Sequence, residues 1–302
     1  MWCGSLLNVG SVLQRDVPSE HILLRIDYAI ETLYTHTRAR IPTVIMGGRV
    51  ECYLDIASYY CYIFFIQLQQ NKELLKQNEI EIIIHPYILG AINVGSNNRP
   101  PWTVPAKAEY GKYTAARTAA NVGLENLTVP EGLMELGKTV VPMRALTYIK
   151  TAFPPEVFKT TFAYFFHAFW TLSKFPVTPP VLKEVLSEVP LRFHLNCFDS
   201  PSSPSQSLLP NSYPSSEKLF IPEQVAQIIH GITTDAVKTE LKARVDEALA
   251  RGAFGAPWLW VTNDRGHSEP FWGSDVWNFV YEFLGTPYQK MQLLPPQKGS
   301  KL

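Results

Sequence analysis

Apolar positions between residues 49 and 90 follow two periods in turn. Arg49 to Ile56 (RVECYLDI) is rich in strand-forming residues, and Glu81 to His85 (EIIIH) is a second short apolar run. Between them, from Ser58 to about Asn78, the apolar residues recur at helical spacing. Such a β-α-β unit predicts two parallel strands. From Pro105 to Gly231 the pattern is helical almost throughout, with Pro142, Pro155, Pro180 and Pro222 each where a helix should begin. Thr234 is expected to cap the next helix, where Val237, Leu241, Val245 and Leu249 form an apolar stripe that Gly252 ends. After it, PWLWV and HSEPFW flank the turn TNDRG and predict a hairpin. Ser274 is then expected to cap a last helix over Asp275 to Leu284.

The order β-α-β, helices, α-β-β-α is an α/β plan: a thioredoxin-like domain with an all-helical domain inserted in its middle. The expected divisions are an extension outside the core over 1–45, the first part of the thioredoxin-like domain over 46–104 and the helical domain over 105–231. The second part follows over 232–288, then a tail over 289–302. Within the helical domain, 197–218 holds a Ser/Pro-rich run (DSPSSPSQSLLPNSYPSS) with too few apolar residues to bury, and is expected to be a disordered loop.

Charge narrows the partners. Lys plus Arg and Asp plus Glu number 27 each among 302 residues, so no net field favours nucleic acid or an anionic membrane, and a small molecule is the expected ligand. The longest apolar stretch, Thr160 to Trp170, falls short of the ~20 residues that cross a bilayer and reads as a buried helix. Cys3, Cys52, Cys61 and Cys197 have no paired spacing, and His85, His167, His230 and His267 have no ligand spacing. No metal is expected, and these histidines read as packing or surface residues.

Candidate chemistry lies at four places. In DIASYYCYIFF, Ser58 stands at a strand-to-helix junction, where helix N–H groups and the dipole favour an anion such as a thiolate carried by a ligand. By itself such a serine is an ordinary cap. Cys61, one turn on, reads as a small buried residue without a partner. Ala256-Pro257 precedes a strand, where a cis proline would leave the backbone of Ala256 open to a peptide-like ligand. Gly273-Ser274-Asp275 offers N–H groups and a hydroxyl for a carboxylate, and a carboxylate for an ammonium. The stretch NNRPPWTVPAKAEY, expected to be a proline-stiffened loop leading into the helical block, adds the Asn98 amide and the Lys107 cation.

Four stretches in this order, YLDIASYYCY, NNRPPW with PAKAEY, RGAFGAPW and FWGSD, resemble the kappa class of glutathione transferases and the related glutathione-dependent 2-hydroxychromene-2-carboxylate isomerases. The likeness runs from about Met46 to Tyr288. It implies a homodimer that takes glutathione as co-substrate and activates its thiolate for conjugation to a small electrophile or for peroxide reduction. The isomerase activity is the alternative, and a glutathione-binding protein without catalysis is an alternative of another class.

The resemblance places the catalytic hydroxyl on Ser58. Tyr59, Tyr60, Asn98, Ala256, Pro257, Ser274 and Asp275 complete the implied glutathione site. The chain departs from the family at Tyr59, where proline is common, at Cys61, where a second serine is, and at Val276, where arginine is. The ending Ser300-Lys301-Leu302 matches the tripeptide read by the peroxisomal import receptor, so the expected address is the peroxisome, with mitochondrion and cytoplasm as alternatives.

Overall fold

The structure is a computed structural model that describes residues 47–124, 127, 129–193 and 217–293. The 1–45 extension, Cys3, Cys197, the Ser/Pro-rich run and Ser300-Lys301-Leu302 lie outside the described residues.

Four strands form one mixed sheet in the order β2-β1-β3-β4: β1 (Arg49–Leu54), β2 (Glu81–Pro86), β3 (Trp258–Thr262) and β4 (Ser268–Trp272). As the β-α-β pattern predicts, β1 and β2 are parallel, Arg49 facing Glu81 and Leu54 facing Pro86. β3 runs antiparallel to β1 and forms the expected hairpin with β4. The helices, in chain order, begin with α1 (Tyr59–Gln70), α2 (Lys72–Gln77) and α3 (Leu89–Gly95). They continue with α4 (Pro105–Asn121), α5 (Leu133–Leu136), α6 (Val140–Ala152), α7 (Pro155–Trp170), α8 (Pro179–Glu188) and α9 (Pro222–Gly231), and end with α10 (Asp235–Ala250) and α11 (Trp277–Leu284). The helices from α4 to α9 all fall between β2 and β3, as an inserted helical domain requires.

Side chains alternate across a strand, so β1 serves two interiors. Val50, Cys52 and Leu54 join Leu259 and Val261 in the core that includes α1 and α11, where Phe64 stacks on Trp277 with centroids 4.9 Å apart. Tyr53 and Trp258 join a smaller core with Tyr87, Ile92, Val245 and Ala248, contributed in part by α3 and α10. In the α10 stripe Val237, Leu241 and Val245 are buried, while Leu249 is half-buried.

Three local expectations are corrected. The helix after Ser58 does not run unbroken to Asn78: Asn71 leaves helical geometry and its side-chain amide donates to the Gln67 carbonyl at 2.8 Å, separating α1 from α2. Thr234 holds the N-cap position of α10, but its hydroxyl donates backwards to the Gly231 carbonyl at 2.8 Å and caps nothing. The PAKAEY segment is the first turns of α4 rather than loop, with Pro105 at its start.

The aromatic run in α7 is interior: Phe162, Phe165, Phe166 and Phe169 have no exposure. The described residues before and after the Ser/Pro-rich run meet at one place. There Pro190 and Lys218 form an antiparallel bridge, Leu191 N–H donates to the Glu217 carbonyl and Leu219 N–H to the Val189 carbonyl, each at 2.8 Å.

Candidate functional site

The turn from β1 into α1 is set by Asp55, which has no exposure. Its carboxylate accepts from Ala57 N–H at 3.0 Å, Leu89 N–H at 2.8 Å and the Thr139 hydroxyl at 2.8 Å. Trp170 donates its indole N–H to the Ile56 carbonyl at 2.8 Å. With the turn so held, Ser58 takes extended backbone angles as the N-cap of α1, and Cys61 N–H donates to its Oγ at 3.2 Å. The first N–H groups of the helix beyond it carry the positive end of the helix dipole.

Chain from the far end of the sequence closes on this cap. The Ser58 hydroxyl donates to the Ala256 carbonyl at 3.2 Å, and the Ala256-Pro257 peptide is cis, as its place before β3 suggested. Side chains hold the approach to it. The Asn98 amide donates to the Phe254 carbonyl at 2.6 Å, and the Tyr87 hydroxyl to the Gly255 carbonyl at 2.5 Å. Gly255 lets the Trp272 ring lie close, because a Cβ there would stand 2.6 Å from the indole nitrogen and force the ring to shift. Among the described residues the Ala256 N–H meets no acceptor.

Gly273 ties the third piece to the second through its N–H, 3.2 Å from the Pro257 carbonyl, in a left-handed conformation with φ +111 that favours glycine. This turn overrules the expected cap: α11 starts at Trp277 with Val276 as its N-cap, so Ser274 and Asp275 belong to the connection and not to the helix. The helix starts late because the chain must first return over Pro257. Ser274 is buried and Asp275 exposed.

The two tyrosines after Ser58 diverge. Tyr59 turns into the helical part, its hydroxyl donating to the Ala115 carbonyl at 2.7 Å and its ring edge-on to Trp170. Tyr60 is half-buried, and its phenol is pushed up by burial and then by the nearby charges of Asp275 and Tyr110, which puts Asp275 on the α1 side of the site. Thus Ser58 meets Ala256 beside Pro257, Asn98 holds the same segment through Phe254, Ser274 and Asp275 follow the Gly273 turn tied to Pro257, Tyr60 senses the charge of Asp275, and the Tyr59 side chain turns away. Lys107 is exposed on α4.

Cys61 is fully buried, and burial pushes its thiol up to about 12, so it is no nucleophile at neutral pH. Cys52 is likewise buried and its thiol raised by burial; both are free. Sequence reasoning missed Asp55, Tyr87, Thr139, Trp170 and Trp272, which position the site without local motifs of their own. It also misread His85. That residue is buried in a polar cluster, 3.3 Å from Glu51 through Nε2 and 3.3 Å from the Lys150 ammonium through Nδ1. His167 packs among Tyr164 and Phe193, whereas His230 and His267 are exposed, as expected.

A parallel-then-antiparallel sheet, a capped first helix and a cis proline facing the cap define a thioredoxin-type protein. The family model described as a DSBA-like thioredoxin domain matches residues 49–194, and the fold is of the DsbA-like thioredoxin type. Among curated proteins, it is similar to two that carry the name glutathione S-transferase kappa 1. It is 25% identical over 263 residues to Glutathione S-transferase kappa 1 of Caenorhabditis elegans, covering 83% of this chain and 97% of that one. It is 26% identical over 255 residues to Glutathione S-transferase kappa 1 of Rattus norvegicus, covering 84% and 97%. A solved 2-hydroxychromene-2-carboxylate isomerase shares the fold, with TM-score 0.52 and 15% identity over 78% of this chain and 94% of that one.

Proposed function

We propose that this chain is a glutathione transferase of the kappa type, binding glutathione with its sulfur at the first turn of α1. The observation that carries this reading is the pairing of the Ser58 hydroxyl with Ala256, beside the cis proline, where the chain's own cysteine, Cys61, is buried and protonated. A dipole end and a hydroxyl donor without an exposed protein thiol suit a sulfur brought by the ligand. The kappa-named relatives, matched over nearly their whole length, support the choice of glutathione.

The chemistry follows from the geometry. Ser58 Oγ keeps the hydrogen bond from Cys61 N–H while its own hydrogen swings from the Ala256 carbonyl to the incoming sulfur. A charge-assisted bond there, worth roughly 1.5–3 kcal/mol, lowers a thiol pKa by about one to two units. The thiol proton leaves to solvent. The thiolate pair then attacks an electrophilic carbon, a C–S bond forms, and a leaving group such as chloride departs with its electron pair. The free Ala256 N–H pairs with the peptide backbone of glutathione, and Asn98 keeps the 254–256 segment in place while offering its remaining amide valences. Ser274 and Asp275 face the γ-glutamyl end, the exposed Asp275 carboxylate meeting its ammonium.

The test is turnover of glutathione with a chloronitrobenzene by the full chain, alongside calorimetric titration of glutathione. Ser58→Ala should lower turnover about tenfold to a hundredfold and raise the pKa of bound glutathione read by thiolate absorbance, with little change in glutathione affinity. An unchanged rate removes Ser58 from the mechanism. Binding without turnover identifies a non-catalytic glutathione-binding protein, and turnover of a hydroxychromene carboxylate alone identifies an isomerase.

A further inference from the structure

A second concavity lies at the other end of α1. Leu68 is ten residues beyond Ser58, roughly 15 Å along the helix axis, so this groove is separate from the candidate site. Its volume is about 550 Å³, within the range of roughly 300–1,000 Å³ typical of small-molecule sites. It runs beside β2, an edge strand of the sheet. Its walls are apolar: Leu68 of α1, Leu75 of α2, Ile82 and Ile84 of β2, and Phe158 of α7.

Lys72, Lys76, Lys150 and Lys159 line it as well, of which Lys72 and Lys76 are exposed and Lys159 pairs with Glu156 at 2.9 Å. Lys150 of α6 lines the groove half-buried, its ammonium 6.0 Å from the centroid of the Phe158 ring. Its hydrogen-bond partner is His85 Nδ1 at 3.3 Å, and among the described residues no carboxylate lies within ion-pair distance of it. An ammonium has three donors and must give one to Nδ1, so His85 carries its proton on Nε2, toward Glu51. The histidine is thereby a neutral acceptor, and Lys150 has no ion-pair partner in direct contact. Burial, then the charge of Arg244, brings the Lys150 ammonium down to about 8, against the more distant charges of Glu240, Glu51 and Glu247. Glu79 and Glu81 are also among the lining residues, so the lysines Lys72 and Lys76 have acidic neighbours along the groove.

We infer that this groove binds a medium-chain fatty carboxylate, its tail laid along Ile82, Ile84 and Phe158 and its head group paired with the Lys150 ammonium. Charge complementarity selects the occupant: an apolar trough whose half-buried ammonium has no ion-pair partner matches one negative head on an apolar chain. The inference is independent of any reaction at Ser58.

Decanoate, with 1-decanol as its uncharged counterpart, is titrated calorimetrically into the full chain. Decanoate should bind at micromolar concentration, Lys150→Met should weaken it tenfold or more, and Lys150→Arg should retain most of the affinity. Decanol binding should be the same in all three proteins. Bound decanoate should also shield Lys150 of the unaltered protein from amine acylation, read by mass spectrometry against exposed Lys112, a measurement that stands if Lys150→Met does not fold. Equal decanoate affinity in the unaltered and Lys150→Met proteins, or acylation of Lys150 unaffected by decanoate, overturns the inference. So does failure of decanoate to bind together with a dimer that Ile82→Asp splits, which would mean that a second copy of the chain fills the groove.

Discussion

Glu51 lies in the middle of β1 and Asp55 just past its end; both carboxylates are almost out of water, yet they sit in opposite electrostatic states. Burial alone would raise both. At Glu51 it is overcome by hydrogen bonds from His85 and Arg251 and by the charge of Arg251, 3.1 Å away, so the carboxyl falls to about 2. At Asp55 the donors are two backbone N–H groups and a threonine hydroxyl; they oppose burial without cancelling it, and the carboxyl is pushed up to about 6. A full positive charge compensates a buried carboxylate, whereas neutral dipoles recover only part of its lost hydration. The first region is consequently an ionic lock between β1, β2 and the end of α10. The second is a hydrogen-bonded brace under the candidate site, kept at an electrostatic cost.

The largest test of this contrast removes the cation. Arg251 reaches Glu51, the Tyr53 hydroxyl at 2.6 Å and Glu247 at 3.0 Å, so Arg251→Met should destabilise the protein by roughly 3–5 kcal/mol in urea unfolding. Adding Glu51→Gln to that variant should recover part of the loss, because the stranded charge is then gone. A loss under 1 kcal/mol would show that the lock is not what keeps Glu51 ionised.

Next comes the brace. Asp55→Ala strands the N–H groups of Ala57 and Leu89 and the Thr139 hydroxyl, and should cost about 2–3 kcal/mol. It should also lower turnover by loosening the turn that presents Ser58. Full turnover by a folded Asp55→Ala protein would disconnect brace from site.

The pH dependence separates the two carboxylates by sign. Glu51 is depressed in the folded chain, so its contribution is present above about 4.5 and is lost as pH falls from there toward about 2. Asp55 is raised, so its penalty is present above about 6 and is relieved as pH falls from there toward 3.8. Urea midpoints at pH 7 and pH 4.5 should show Asp55 favouring the lower pH by roughly 2 kcal/mol, a difference absent in Asp55→Asn. An identical pH response in the two proteins would contradict the raised carboxyl. As the smallest effect, Lys112→Ala, which breaks an exposed pair with Glu109 at 2.7 Å, should leave the unfolding midpoint unchanged.

Much of this architecture was legible along the chain because its signals are local. The run RVECYL, the helical period after Ser58 and the turn NDRG between apolar runs each specify an element from neighbouring residues, and their order points to the thioredoxin plan. The expected cap at Ser274 failed for the opposite reason. The residues there read as a helix start, but the bond from Gly273 to Pro257, partners sixteen positions apart, delays the helix to Trp277. His85 was misread likewise, since nothing in EIIIHP announces Glu51 on one side and Lys150 on the other.

The sequence by itself determined the order of strands and helices, though not every boundary, that Ser58 caps a helix in place of an exposed cysteine, and that Cys61 is interior. Periodicity, capping and turn chemistry act within a few residues, and a chain carries them wherever it folds. Only the tertiary structure decided that Ser58 meets Ala256 across 198 positions, that Tyr59 spends its hydroxyl on α4, and that Glu51 and Asp55 diverge. Those outcomes depend on burial and on which distant charge or carbonyl lies within about 3 Å, quantities that exist only once the chain has closed on itself.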